Sequence, residues 1–172
     1  MRSITSFGFL KIVEGCDYEF LIEGFAFNVQ HNIKINNGSF HSFHTFQFKG
    51  CSFKSLIISN SEISSHWVFE NCYIQSLVIN SSVVKNIDFR NCRIQRLEYS
   101  RNKDAGDLTV SACRIKTLEY IDNLKFTNLN IGCQNLLDRV NILNNGSESD
   151  QESSFYLCPE KFNEIKIDHF SV

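Results

Sequence analysis

Residues 72–91 read CYIQSLVINSSVVKNIDFRN, and Cys92 follows them. Small or apolar residues recur in this stretch as pairs separated by one residue, and a new pair begins every five residues. The pairs are Cys72 and Ile74, Leu77 and Ile79, Ser82 and Val84, and Ile87 and Phe89. An amphipathic helix requires a period of about 3.6 residues and a half-buried hairpin strand requires strict alternation, so neither fits. The pattern predicts a chain that turns a corner every five residues, with four sides to a coil.

The same pattern repeats along the chain. Cys51, Cys72, Cys92, Cys113 and Cys133 lie 21, 20, 21 and 20 residues apart, and each unit has apolar residues two, five and seven positions after its cysteine. The other units read CSFKSLIISNSEISSHWVFEN (51–71), CRIQRLEYSRNKDAGDLTVSA (92–112) and CRIKTLEYIDNLKFTNLNIG (113–132). A fixed period between about 20 and 50 residues is typical of solenoids. The predicted core ladders are Cys51, Cys72, Cys92 and Cys113; Leu56, Leu77, Leu97 and Leu118; and Phe48, Phe69, Phe89 and Val110.

The composition favours strands over helices. β-Branched and aromatic residues dominate, whereas Ala occurs at three positions and Pro at one, and these preferences are typical of β-structure. Coils of a β-helix stack about 4.8 Å apart through ladder hydrogen bonds. We therefore predict an all-β fold, a right-handed parallel β-helix of four to five coils of 20–21 residues with irregular N- and C-terminal caps.

Over residues 46–133 the paired positions resemble the pentapeptide-repeat family, whose square coils centre on Leu or Phe with a small residue two positions before. A rival resemblance is to the cysteine-containing leucine-rich repeat, because residues 84–94 match the pattern LxxLxLxx[NC]xL. The same pattern also fits residues 53–63 and 74–84, half a repeat out of phase. A leucine-rich repeat normally has one such strand per repeat, so two matches favour the β-helix.

The chain length of 172 residues predicts a single domain. Residues 1–45 are expected to form an N-terminal cap or degenerate coil, residues 46–133 the repeat core, and residues 134–172 a C-terminal cap. Within that cap, residues 144–154 (NNGSESDQESS) are polar and acidic and are predicted to form a mobile loop.

Charge and hydropathy exclude several classes of protein. Seventeen Lys and Arg against nineteen Asp and Glu give a net charge of -2, so bulk charge predicts neither a nucleic-acid coat nor an acidic mimic of DNA. The most apolar N-terminal stretch, residues 7–13, is interrupted by Lys11, so we expect no membrane span and no signal peptide. Seven cysteines without a CxxC pair then indicate free thiols in a cytoplasmic protein without a metal or other cofactor.

No sequence motif points to catalysis. The chain has no HExxH motif, no nucleophile elbow and no Gly-rich phosphate loop. We therefore expect a protein that is not an enzyme.

The outward positions of the coils supply the candidate partner-binding residues. These residues are Tyr73, Arg93, Arg96, Arg114, Lys116, Ile57 and Val78. The basic members form a patch suited to an anion or an acidic partner, and Ile57, Val78 and Tyr73 form an apolar patch beside it. For the charges themselves, the interpretation that we favour is that Arg93 and Arg114 are neutralised across the corner by the stacked Glu98 and Glu119, and the anion site is its functional alternative.

Our leading hypothesis is a non-enzymatic binding module that presents a rigid solenoid face to a partner protein. The abundance of Ile, Phe, Asn, Lys and Ser is typical of mobile elements, which favours a bacterial or phage protein in a toxin-immunity, phage-defence or counter-defence setting. The pentapeptide-repeat resemblance implies one alternative, a DNA mimic that binds a type II topoisomerase. The other alternative is a self-assembling scaffold, either a homodimer or an end-to-end stack.

Overall fold

The computed structural model describes residues 3–4, 20–23, 26–27, 33–36, 39–40, 45–146 and 154–171, and all their strands belong to two parallel sheets. Sheet A contains β1 (Ser3–Ile4), β3 (Ala26–Phe27), β4 (Ile33–Asn36), β7 (Ser52–Phe53), β8 (Leu56–Ser59), β10 (Tyr73–Asn80), β12 (Arg93–Ser100), β14 (Arg114–Ile121), β16 (Leu136–Gly146) and β18 (Lys161–Ser171). Sheet B contains β2 (Phe20–Glu23), β5 (Ser39–Phe40), β6 (Thr45–Lys49), β9 (Glu62–Glu70), β11 (Val83–Arg90), β13 (Asp107–Ser111), β15 (Asn128–Ile131) and β17 (Ser154–Leu157).

This arrangement is an all-β parallel solenoid, as the sequence predicts. Each complete coil contributes a strand to both sheets, and no helix occurs among the described residues. The solenoid has about six coils rather than the four to five predicted. The difference arises because strands beyond Cys133 continue the ladder: Leu118 in β14 pairs with Val140 in β16, which pairs with Ile165 in β18.

The three predicted core ladders are confirmed by burial of their side chains. Phe48, Phe69 and Phe89 stack face to face, with ring centroids 4.8 and 5.1 Å apart. Trp67 is also buried, and its indole Nε1–H donates a hydrogen bond to Ser65 Oγ at 2.7 Å. Identical residues stack well because equivalent positions in successive coils share one environment.

Two corners of each coil use left-handed backbone. One corner has positive φ at Gly50, Asn71, Asn91 and Ala112, and the other at Asn60, Ser81, Arg101, Asp122 and Asn144. Gly, Asn and Asp tolerate this conformation better than other residues. Its recurrence about twice per coil turns the chain from one sheet into the other.

The residue after each left-handed corner points inward and is small or polar. At the second corner these residues are Ser61, Ser82, Asn102, Asn123 and Asn145, which we call the polar ladder. The backbone N–H of Ser82 donates to Asn102 Oδ1 at 3.0 Å, and the N–H of Asn123 donates to Asn145 Oδ1 at 3.2 Å. The polar ladder therefore satisfies backbone donors at a corner, where they would otherwise be buried without partners.

Two irregularities lie in sheet B and in the segment that precedes β13. The pairing of β9 with β11 shifts register between Val84 and Asn86. Gly106 precedes β13 with φ of +52°, and a Cβ there would lie 2.1 Å from the Val84 carbonyl oxygen. Only glycine fits this close approach of two coils.

Two sequence predictions fall largely outside the described residues. The N-terminal cap or degenerate coil (1–45) is described only as short strands, and the acidic loop (144–154) includes the undescribed residues 147–153. Among the described residues, no helix is long and apolar enough to cross a membrane.

Candidate functional site

Tyr73, Arg93 and Arg114 form one outward column on sheet A. The pairing of β10 with β12 aligns Tyr73 with Arg93, and the pairing of β12 with β14 aligns Arg93 with Arg114. Neighbouring strands lie about 4.8 Å apart, so the two guanidinium groups emerge from adjacent positions. All three side chains are exposed, Tyr73 to 43%. The geometry thus brings together three of the predicted binding residues.

Arg96 neutralises the acidic column beside them. Glu98 and Glu119 are aligned in register, and Arg96 Nη2 donates to Glu98 Oε2 at 2.6 Å and to Glu119 Oε2 at 3.0 Å. The prediction that Arg93 and Arg114 neutralise these glutamates is wrong, because Arg96 projects from the intervening position and reaches both carboxylates. An exposed ion pair of this kind adds little stability. Because Arg96 is paired, however, it is not among the cations that are free to bind an external anion.

Arg93, Arg114 and Lys116 have no ion-pair partner within the described part of the chain. Together with Ile94, Gln95 and Asp138 they line a depression of about 190 Å³. Asp138 accepts a hydrogen bond from Asn163 Nδ2 at 3.4 Å. Guanidinium groups bind carboxylates and phosphates through paired N–H donors, so this basic column is suited to an anionic group.

A second, shallow depression of about 580 Å³ adjoins the first. Its lining consists of Tyr73, Gln75, Ser76, Gln95, Arg96, Lys116 and Thr117. Sites for small molecules are usually concave and mainly apolar, whereas this surface is broad and polar with one aromatic ring. It therefore resembles an area of protein contact more than a small-molecule pocket.

Val78 and then Ile57 continue the column of Glu98 and Glu119 on sheet A toward the N-terminus. The pairing of β8 with β10 aligns them, and both side chains are only partly exposed. Val83, beyond the next corner, is 36% exposed. The structure thus separates the predicted apolar residues into an exposed Tyr73 beside the arginines and a half-buried aliphatic pair.

The four stacked cysteines form a packing ladder at the first corner. The backbone N–H of Cys92 donates to Cys113 Sγ at 3.2 Å, and Cys92 Sγ donates to the Phe69 carbonyl oxygen at 3.2 Å. Hydrogen bonds to neighbouring thiols, together with burial, raise the pKa of Cys72 and Cys113. All four thiols, including Cys92, whose pKa the neighbouring thiols lower, are at most 3% exposed, and buried structural cysteines are inert toward reagents in solution.

One arrangement was not foreseen from the sequence. Cys133, which keeps the regular spacing, does not join the cysteine ladder; Asn135 takes that place, and its Oδ1 accepts from the Cys113 backbone N–H at 2.7 Å. Cys133 instead lies at the surface beside Cys158. Three residues lie between Gly132 and Leu136, whereas two lie between the equivalent Ser111 and Arg114 one coil earlier, and this one extra residue is the sequence signal that displaces Cys133.

Within the described residues, no group of three or more His, Cys, Asp or Glu side chains is arranged to hold a metal ion. Comparison with family models, with curated proteins and with solved structures found no match to this chain. The interpretation of the site therefore rests on its geometry.

Proposed function

We propose that this protein is a non-enzymatic binding module whose sheet A face binds an acidic segment of a partner protein. The observation that carries the proposal is the stacking of Arg93 on Arg114 without a carboxylate partner among the described residues, while Arg96 pairs with both neighbouring glutamates. Tyr73 extends the same column and supplies an exposed aromatic ring.

The energetics of the column favour an external anion. Like charges directly opposite on neighbouring strands are destabilising by some tenths of a kcal/mol, up to about 1 kcal/mol. A carboxylate bound between Arg93 and Arg114 removes this repulsion and accepts paired N–H donors. Tyrosine and arginine are also the residues that most often dominate binding energy at protein interfaces.

The charge pattern favours an acidic protein segment over a nucleic acid. Binding of a phosphate backbone uses an extended basic stripe, whereas Arg93, Arg114 and Lys116 are flanked by Glu98 and Glu119. Asp138 also lines the depression, so the site suits a short acidic segment held by a few contacts better than a long polyanion, which would meet three carboxylates.

We further propose that the coils are divergent pentapeptide repeats. The support is that the paired positions of residues 72–89 are all buried. From the composition we also propose that the protein is bacterial or phage-borne, acts in the cytoplasm, and serves toxin immunity, phage defence or counter-defence.

Self-assembly by end-to-end stacking is a second candidate function. Phe162 and Ile167 in β18 continue the core columns of Leu137 and Ile142, yet they are 53% and 44% exposed. Solenoid ends that leave core positions uncovered favour association. Light scattering over a concentration range tests this candidate: a mass that rises for wild type but not for Phe162→Lys/Ile167→Lys supports it, and a constant monomer mass for wild type contradicts it.

Affinity capture from a lysate of the native host tests the leading proposal. Wild type is compared with Arg93→Glu/Arg114→Glu and with Lys85→Glu/Lys103→Glu, which changes the net charge equally. Lys85 and Lys103 are exposed and have no ion pair in the described residues, and Lys85 lies on sheet B. We expect one stoichiometric protein with wild type and the lysine variant, and its loss with the arginine variant. Retention by the arginine variant, or capture of no protein at all, contradicts the proposal.

A further inference from the structure

Cys133 and Cys158 lie on adjacent coils at the end of sheet B. Cys133 follows β15 and Cys158 follows β17, and these strands pair with Ile131 opposite Leu157. The Cys158 backbone N–H donates to the Ile131 carbonyl oxygen at 2.9 Å, which fixes the two chain segments side by side. Their Sγ atoms are 2.6 Å apart.

The environment of this pair differs from that of the cysteine ladder. Cys133 is exposed and Cys158 is partly exposed, whereas Cys51, Cys72, Cys92 and Cys113 are buried. Because Asn135 replaces Cys133 in the ladder, the Cys133 thiol is not part of the buried cysteine stack. Both thiols are therefore accessible to a reagent in solution.

The surroundings of Cys133 favour its thiolate form. The Tyr156 hydroxyl group lies 3.3 Å from Cys133 Sγ. Hydrogen bonds with Cys158 and with Tyr156 lower the pKa of Cys133. A lowered pKa increases the thiolate fraction near neutral pH, and the thiolate is the reactive form.

From this geometry we propose that Cys133 and Cys158 form a modification site: a dithiol that a hydroperoxide converts into an intramolecular disulfide. In the first step the Cys133 thiolate attacks one peroxide oxygen, the O–O bond breaks, and the leaving oxygen takes up a proton, giving a sulfenic acid and water or an alcohol. In the second step Cys158 sulfur attacks the sulfenic sulfur, and hydroxide leaves with the thiol proton as water. A dithiol reductant restores both thiols by exchange.

The disulfide acts on the C-terminal coil. It closes the loop that contains β16 and residues 147–153, and it joins the turn after β15 to the end of β17. Closing a loop of this length restricts the unfolded chain, and the restriction raises the stability of the linked segment. Oxidation is therefore expected to hold β17 on sheet B.

The test treats the reduced full chain with hydrogen peroxide at neutral pH and analyses it by intact mass and peptide mapping. We expect a mass loss of two hydrogen atoms, a crosslinked peptide that joins Cys133 to Cys158, and reversal by dithiothreitol. Oxidation is expected to raise Tm by about 5 to 10 °C. Cys133→Ser and Cys158→Ser should each abolish the crosslink and the Tm shift, and the buried cysteines serve as internal controls that remain reduced.

The Tyr156→Phe variant tests whether the reactivity of Cys133, and not only its closeness to Cys158, controls the rate of crosslinking. This variant keeps both thiols and should still form the crosslink, but more slowly than wild type at pH 7, because less Cys133 is thiolate. The pH dependence of the rate should move to higher pH. Oxidation of Cys133 and Cys158 without a bond between them, or crosslinks only between separate chains, would overturn the proposal.

Discussion

The backbone N–H of Asn102 donates a 3.1 Å hydrogen bond to Oδ1 of Asn123, which lies one coil further along the chain. The side-chain amide of Asn123 in turn donates to the Tyr99 carbonyl oxygen at 3.2 Å and to Asn145 Oδ1 at 2.9 Å. The side chains of Asn102 and Asn123 thus each link three coils. The second corner is held by buried side-chain hydrogen bonds, while the sheets are held by backbone pairing.

Asn123→Ala should strongly destabilise the solenoid. The substitution leaves the buried N–H of Asn102 and the Tyr99 carbonyl without this partner, which costs about 3 kcal/mol in total. Urea unfolding followed by circular dichroism measures the loss. Asn130→Ala, on the exposed face of β15, is the control and should change stability by less than about 0.5 kcal/mol. Equal effects from the two variants would show that the polar ladder has no special role.

Ala112→Asn should stabilise the protein. Ala112 has φ of 52° in the same corner column as Asn71 and Asn91, and Asn91 Nδ2 donates to Asn71 Oδ1 at 2.5 Å. Asparagine tolerates left-handed backbone better than alanine and extends this exposed amide stack, so we expect a gain of about 1 kcal/mol. Thermal unfolding should show a rise in Tm of about 2 to 4 °C. A lower Tm would contradict the role given to these corner residues.

The buried tyrosines predict a loss of stability at alkaline pH. Tyr99 and Tyr120 stack with ring centroids 5.9 Å apart, and their hydroxyl groups have no hydrogen-bond partner among the described residues. Burial raises the pKa of both side chains above the ordinary value of 10.0. Above that value the unfolded chain releases protons that the folded chain retains, so stability falls by up to about 1.4 kcal/mol per pH unit for each tyrosine.

The double variant Tyr99→Phe/Tyr120→Phe isolates this effect. It should lose less stability than wild type between about pH 9 and pH 11, and it should be at least as stable at pH 7 because no buried hydroxyl is left unpaired. Denaturant unfolding at each pH provides the measurement. Parallel pH profiles for the two proteins would mean that these tyrosines do not control alkaline unfolding.

Much of the fold is predictable because pairs of inward-facing residues recur every five residues in the sequence. An alignment of the repeats on cysteine misses the last coils, because in the coil after Cys113 the backbone hydrogen bond is accepted by Asn135 and not by a thiol. Leu137, Val140 and Ile142 nevertheless keep the apolar spacing of Ile115, Leu118 and Tyr120. The chemistry at the corner is conserved along the solenoid even where the residue type changes.

The candidate site was predicted only in part, because side-chain reach is not a property of residue spacing. Register alone aligns Arg93 with Arg114 and Glu98 with Glu119. Which arginine meets the glutamates depends on rotamers, and the structure selects Arg96. The dithiol pair depends on a local displacement of Cys133, which a periodic alignment conceals.

Site-specific photo-crosslinking in the native host tests the proposed binding face most directly. A photoreactive phenylalanine replaces Tyr73 on sheet A or, as a control, Lys85 on sheet B; both side chains are exposed. The account predicts one crosslinked partner from position 73, none from position 85, and loss of the product when Arg93→Glu/Arg114→Glu is added. The same product from both positions, or a product from position 85 alone, would contradict the assignment of the binding face to sheet A.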